Sequence, residues 1–298
     1  MRASCYVVGL LGALGVAAQV AAKSDCEKES ADCVTIGKLD FSIGVGYGSR
    51  SNPIVNGHDI PLILIPQFSY YGKRFFIENF DVGVTLHESA TNTFNLVGSP
   101  GYDRVFFYRN DLQNFFIGGG FAGSSVSASA SAAALPPVAT GLPGLPGTPN
   151  IQVSDADLIL ERKRHATYLV GPEWNFKYGA VFGQLDALYE VTGQHNGTEI
   201  RAAIAVPLIR SAGTLTASAG ATWKSSEVVT YFYGEKGIYD AGAALNPFAK
   251  ISYTLALNDH WNINALAHIE RLGDAIADSP IVQEKNVTTI FAGVAYSF

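Results

Sequence analysis

From about residue 39 to the C-terminus, hydrophobic and polar side chains alternate one by one, in blocks separated by short polar or glycine-containing breaks. In the first block Leu39, Phe41, Ile43, Val45 and Tyr47 share one face, against Asp40, Ser42, Gly44 and Gly46. Further along, Ile251, Tyr253, Leu255 and Leu257 oppose Lys250, Ser252, Thr254, Ala256 and Asn258. After a tight turn at Asn258-Asp259, Trp261, Ile263, Ala265, Ala267 and Ile269 oppose Asn262, Asn264, Leu266, His268 and Glu270. The last block puts Ile290, Ala292, Val294, Tyr296 and Phe298 on one face, and only Phe291 interrupts the small and polar set opposite. A period of two places successive side chains on opposite faces of a β-strand, so the chain is all-β.

Block length decides what kind of β-structure this is. Eleven segments are candidates: 39–49, 60–71, 74–87, 92–108, 157–177, 179–192, 198–209, 213–231, 247–258, 260–271 and 287–298. Many run about 9–12 residues, longer than the usual 5–6 of globular strands and matched to a bilayer crossed at a tilt. Tyr47, Tyr70, Tyr71, Trp174, Trp223, Trp261 and Phe298 stand near block ends, where amphipathic rings settle at headgroup level. In hydrocarbon an open sheet edge would leave backbone N–H and C=O groups unpaired, so the sheet has to close. In 74–87 the apolar phase slips near Asn79: Phe75 and Ile77 fall in one phase, Phe80, Val82, Val84 and Leu86 in the other. A bulge or hidden turn there, with the preference of bacterial barrels for even strand numbers, predicts a closed antiparallel transmembrane β-barrel of twelve strands over 39–298, ten being the alternative.

Composition agrees. Charged residues are 15% of the 298, well below the roughly 25% of soluble domains, while aromatics reach 11%. The net charge of −6 offers no basic patch for nucleic acid. At the N-terminus, Arg2, an apolar core from Tyr6 to Ala18 and small residues at Val20 and Ala22 form a secretory signal peptide over 1–22. That leaves residues 23–38 as a periplasmic segment and Cys26 with Cys33 as the cysteines of an exported chain, which most simply form one local disulfide. Residues 122–150, Ser/Ala-rich and then Pro/Gly-rich, have no apolar period and form a low-complexity solvated loop.

Chemistry-bearing motifs are sparse. None of the six histidines has metal-ligand spacing, no nucleophile elbow or phosphate loop follows a strand, and no cofactor is expected. The strand phase sends Asp40, Glu173, Asp186, Glu190, Arg201, Lys224, Lys250, His268 and Glu270 into the lumen with mixed signs. A Ser252/His268/Glu270 hydrolase is one reading of that set. A network of mutually satisfied polar groups filling a small barrel is the reading adopted, so no enzyme is expected.

The stretch "YFYGEKGIYDAG" at 231–242, the following 246–282 and the terminal "FAGVAYSF" resemble the MltA-interacting protein (MipA)/OmpV family of Gram-negative outer membranes. The family's elements fall on Tyr233 and Gly234, on Arg271 and Leu272 with Asp278, Ser279 and Pro280, and on Tyr296 to Phe298. The resemblance implies an outer-membrane barrel without known enzymatic activity, a scaffold linking a lytic murein transglycosylase with a murein synthase. It also implies that Tyr296 and Phe298 form the terminal signal read by the barrel-assembly machinery. The residues themselves leave a narrow channel or small-ligand-binding barrel as the alternative function.

Overall fold

A computed structural model describes residues 33–108 and 154–298, together with the short strands Cys5–Val8 and Gln19–Val20. Cys5–Val8 is the middle strand of a small antiparallel sheet, flanked by Gln19–Val20 and Cys33–Thr35. The rest of the expected signal peptide, Cys26 and the 122–150 insertion lie outside the described residues.

The remainder is one closed barrel of twelve antiparallel strands. In chain order these are β1 (Leu39–Arg50), β2 (Ile60–Tyr71), β3 (Phe75–Glu78), β4 (Asp81–Glu88), β5 (Asn92–Pro100), β6 (Tyr168–Tyr178), β7 (Val181–Glu190), β8 (Thr198–Ile209), β9 (Thr214–Lys224), β10 (Ala244–Ala256), β11 (Trp261–Arg271) and β12 (Asn286–Ser297). Each strand pairs with its successor, and β12 closes the ring on β1 through the register from Thr289↔Arg50 to Ser297↔Ser42. The terminal strand is therefore hydrogen-bonded on both sides, and the last amide, of Phe298, still donates to the Phe41 carbonyl at 3.0 Å.

The alternation predicts the two faces of the wall. Leu39, Val45, Tyr47, Ile251, Ile269, Ile290 and Val294 are exposed on the outside, whereas Lys250, Ser252, His268 and Thr289 are buried on the inside. At the closing seam Gly46 faces Gly293, and a Cβ on either would meet the Phe291 ring at 2.5–2.6 Å. Phe291, the residue that interrupted the polar phase, turns inward and lies over this glycine pair. Trp261, Tyr296, Phe298 and Phe41 form a rim of ring contacts at the end of the barrel where the chain terminates. Tyr71 does not belong to a girdle: it is buried inside, stacked on Phe76 at 6.4 Å.

The phase slip in 74–87 is a hidden turn. Asn79 adopts the left-handed conformation (φ 52°), its side-chain oxygen accepts from the Phe68 amide, and the chain reverses between Glu78 and Asp81. The resulting β3–β4 hairpin is short, with four and eight residues. Three other long blocks yield shorter strands than their apolar content indicates, two ending early and one, 157–177, beginning only at Tyr168. Residues 102–106 form a 3-10 turn, Asp155–Glu161 forms α1 and Ser226–Tyr233 forms α2, while α3 (Asp274–Ala277) lies between β11 and β12.

All these helical pieces sit on the end opposite the chain terminus, where the long connections are. The terminus end has only brief turns such as Gly179-Ala180. In bacterial outer-membrane barrels the short turns face the periplasm and the long loops face outward.

Candidate functional site

Two features occupy the inside of the barrel: an apolar cap at the long-loop end, and a polar layer against the wall formed by β3–β8.

The cap is built around α2. Val228, Val229, Phe232 and Tyr233 recur at helical spacing, and each is fully buried. They pack against Val105 and Phe106 of the 3-10 turn, Ile159 of α1, Ile276 of α3, Ile281, and the inward-facing Ile60, Leu62, Val287 and Phe291 of the wall. Each such side chain contributes about 1.5–3 kcal/mol relative to exposure, so the cluster is a packed element rather than a set of loose loops. Arg164 stitches it together, donating to the carbonyls of Phe232 (2.8 Å), Arg162 (2.9 Å) and Ile159 (2.9 Å), with its guanidinium 3.9 Å from the Phe107 ring centroid.

A buried polar latch fastens the cap to the wall. Asp103, 2% exposed, accepts from the Lys224 ammonium at the end of β9 and from the Tyr233 hydroxyl at 2.6 Å. Burial alone would raise the Asp103 carboxyl, but the Lys224 charge and the hydrogen bonds from Lys224 and Tyr233 outweigh it and hold the group below the usual carboxylate range. Burial, together with the Asp103 charge, pushes the Tyr233 phenol well up. His195 lies beside this latch, its ring 5.4 Å from that of Tyr231, and burial holds it below the ordinary imidazole value despite the carboxylates of Glu190, Glu199 and Asp103.

The family-motif residues divide between cap and surface. The Ser279 hydroxyl donates to the Tyr233 carbonyl at 2.5 Å, and Leu272 is buried in the same cluster. Gly234 follows where a Cβ would sit 2.4 Å from the Tyr239 carbonyl oxygen, so only glycine fits. Arg271, Asp278 and Pro280 are exposed, and Asp278 pairs with Lys285 on the surface. Tyr296 and Phe298 stand at the terminus rim.

In the polar layer, Glu173 accepts from Asn95 (2.6 Å), Asn175 (2.7 Å) and Gln184 (2.9 Å), and the same Gln184 nitrogen reaches both oxygens of Asp186 at 3.1 Å. Carboxylates sharing one amide donor lie within about 6 Å, where like charges repel by about 3 kcal/mol even at an effective dielectric of 20. Arg201 is held by Glu199 (2.8 Å) and donates to Ser99 (3.1 Å). Ser99, Glu173, Gln184, Asp186 and Arg201 border a small cavity of about 20 Å³.

Not every expected lumen residue joins this network. Asp40 pairs with Lys38 near the terminus end, and Glu190 instead gathers the loop after β7, accepting from the amides of Thr192, Gln194, His195 and Asn196. The Ser252/His268/Glu270 arrangement does not form. His268 faces Lys250 across the ladder, Ser252 faces Leu266, and Glu270 accepts from Asn246. Among the described residues no hydrogen bond joins the three, and the His268 Nε2 has no partner.

Residues 41–298 match the model of the family described as MltA-interacting protein MipA. The outer membrane protein Omp26La of Vibrio anguillarum is 30% identical over 150 residues, 46% of this chain and 56% of that protein. The outer membrane protein OmpV of Vibrio cholerae is 29% identical over 148 residues, with the same shares. The MltA-interacting protein of Escherichia coli is 27% identical over 94 residues, 28% of this chain and 38% of that protein. The chain thus spans about half the length of the Vibrio relatives it matches, at 56% of each. Among solved structures, a loop-deletion variant of OmpT, an outer membrane protein of Vibrio cholerae, aligns over 88% of this chain and 99% of its own, with a TM-score of 0.35 and 8% identity.

Proposed function

The chain belongs to the MltA-interacting protein MipA family of outer-membrane β-barrels, and on that premise we propose that it is a closed, non-catalytic scaffold. In this reading its periplasmic face holds a lytic murein transglycosylase close to a murein synthase. The observation that carries the proposal is the cap. Among the described residues the long-loop mouth is filled by the fully buried Val228, Val229, Phe232, Tyr233, Ile276 and Ile281, which disfavours the channel alternative. His268 and Ser252 are not paired in the ladder, so these two do not form the nucleophile–base pair that hydrolysis would need. What remains available to a periplasmic partner is the terminus side: the brief turns, and the segment 23–38 that precedes β1. The name of the Escherichia coli relative supports a transglycosylase as one partner; the synthase is the further step of the proposal.

The test is in vivo photo-crosslinking from the turn positions Ala180, Ala212 and Asp259, read by mass spectrometry. Recovery of a transglycosylase and a synthase on the same barrel supports the scaffold. Recovery of neither, at probe positions shown to be periplasmic, overturns it.

A further inference from the structure

His195 belongs to the loop between β7 and β8 and is buried against the cap. Its ring lies 5.4 Å from that of Tyr231 and 6.0 Å from that of Phe232, both on α2. Two residues on, the loop is pressed against the start of the same helix. A Cβ on Gly197 would stand 2.7 Å from the Val228 side chain and 2.9 Å from the Ser225 hydroxyl oxygen. Ser225 fastens the joint: its amide donates to the Thr198 carbonyl at 2.9 Å, and its hydroxyl accepts from the Thr198 amide at 3.1 Å. Inside the joint the Gly197 amide donates to His195 Nδ1 at 3.0 Å. That nitrogen carries a lone pair, so the ring is neutral, with its proton on Nε2.

A second proton has no place there while the joint is closed. An imidazolium presents N–H on both nitrogens, and Nδ1–H would face the Gly197 N–H, donor against donor. The charges around the ring do not offset this. Glu190, at the end of β7, is occupied by four backbone amides, and Glu199 of β8 is paired with Arg201. Asp103 of the 3-10 turn is held by Lys224 and Tyr233, and Lys224 itself repels a second cation. On α2, Glu227 is exposed to water, which screens its attraction. Arg162, over the Tyr231 ring, is paired with Glu235. Burial acts in the same direction as the Gly197 donor, and the imidazole titrates below its ordinary range. We propose that His195 is an acid trigger for the cap: taking up a proton releases the β7–β8 loop from α2 and loosens the cap from the wall. The trigger is a property of the long-loop end and stands or falls independently of any periplasmic partner.

The full chain, folded in uncharged detergent, is followed by hydrogen exchange at pH 7 and pH 5, each amide being corrected for its intrinsic rate. A group with an open-state value of about 6.5 that stays neutral while closed favours opening by about thirtyfold at pH 5, which sets the ceiling. Protection of the Val229 and Gly234 amides should fall by more than about threefold, toward that ceiling, while β10 and β11 keep theirs. Asp103 is held below the carboxylate range and is still ionised at pH 5, so this loss is not the latch titrating. His195→Asn keeps an acceptor where Nδ1 stands and takes up no proton; its cap should change by less than about threefold over the same interval. Heat-modifiable mobility on a gel confirms that the variant is a folded barrel. In the wild type, the imidazole nitrogen resonances at pH 7 should show Nδ1 without a proton, and a proton found on Nδ1 overturns the proposal. Wild-type protection that changes by less than about threefold overturns it, as does a folded His195→Asn that loosens as much as the wild type. Loss spread evenly over cap and strands overturns it too.

Discussion

Replacing Asp103 by alanine removes the group that latches the cap to the wall. Two partners lose their acceptor at once: the Lys224 ammonium, itself buried, and the Tyr233 hydroxyl, which donates at 2.6 Å. Breaking a buried ion pair by deleting one partner costs about 3–5 kcal/mol, because a charge is left uncompensated. A value of about 4 kcal/mol corresponds to nearly a thousandfold in the equilibrium for opening the cap, at 1.36 kcal/mol per decade. Tyr233→Phe gives up one hydrogen bond to a charged acceptor and leaves the ion pair, so its cost should be smaller, about 1.5–3 kcal/mol. The strands are held by their own ladder, so the opening is local and hydrogen exchange is the suitable assay. In Asp103→Ala, protection at the amides of Val229 and Gly234, which bond to Ser225 and Thr230, should fall by about a thousandfold. The amides of β10 and β11 should keep theirs. Tyr233→Phe should fall in between. Cap amides in Asp103→Ala protected to within threefold of wild type would refute the latch, as would an equal loss of protection throughout the barrel.

Further outcomes follow from the same geometry. Cysteines placed at Ile251, Leu257 or Ile269 should react with a lipid-phase probe, and cysteines at Ser252 or His268 should not; the reverse pattern would put the apolar faces in a soluble core. Deleting Phe298 removes the terminal ring, which lies 5.5 Å from Phe41 and 4.9 Å from Tyr296, and one hydrogen bond of the closing seam. Export should continue while outer-membrane insertion falls, and insertion at the wild-type level would contradict the terminal-signal reading. Acid should loosen the cap in two stages. His195 titrates low in the folded state, so the open form takes up its proton first and cap stability declines as pH drops below about 6.5. Asp103 is likewise depressed; its contribution is intact above about pH 3.9 and is lost as pH falls through its lowered folded value. Exchange protection of the cap that is flat from pH 7 to 3 would contradict both assignments.

The wall of this barrel was legible because its physics is local. One side chain in two meets lipid, so alternation alone orients Leu39 to Tyr47 and Ile251 to Leu257. The turn at Asn79 was also written in the chain, as a phase slip centred on a residue that tolerates positive φ. The cap was harder to read. Residues 226–233 are rich in Val, Thr, Tyr and Phe, and that content extends the strand pattern, yet Val228, Val229, Phe232 and Tyr233 recur at helical spacing after Ser225. The Ser154-x-x-Asp157 capping box was a second available signal, announcing α1 inside a block otherwise read as strand. Other contacts had no local signal at all. Asp103, Lys224 and Tyr233 are separated by more than a hundred residues at the widest, and only barrel closure brings them together. The same is true of Glu173, Gln184 and Asn95, whose meeting depends on strand register. The motif residues Tyr233, Gly234 and Ser279 could be recognised as a pattern, but their packing together in the cap depends on contacts between segments distant in the chain.

A barrel closed by packed side chains should not conduct, and single-channel recording in planar bilayers tests this most directly. Purified wild-type protein, shown to have inserted, should give no steady unitary current at neutral pH, whereas Asp103→Ala should give intermittent openings as the cap detaches. Stable unitary currents from the wild-type protein, no different in Asp103→Ala, would contradict the account.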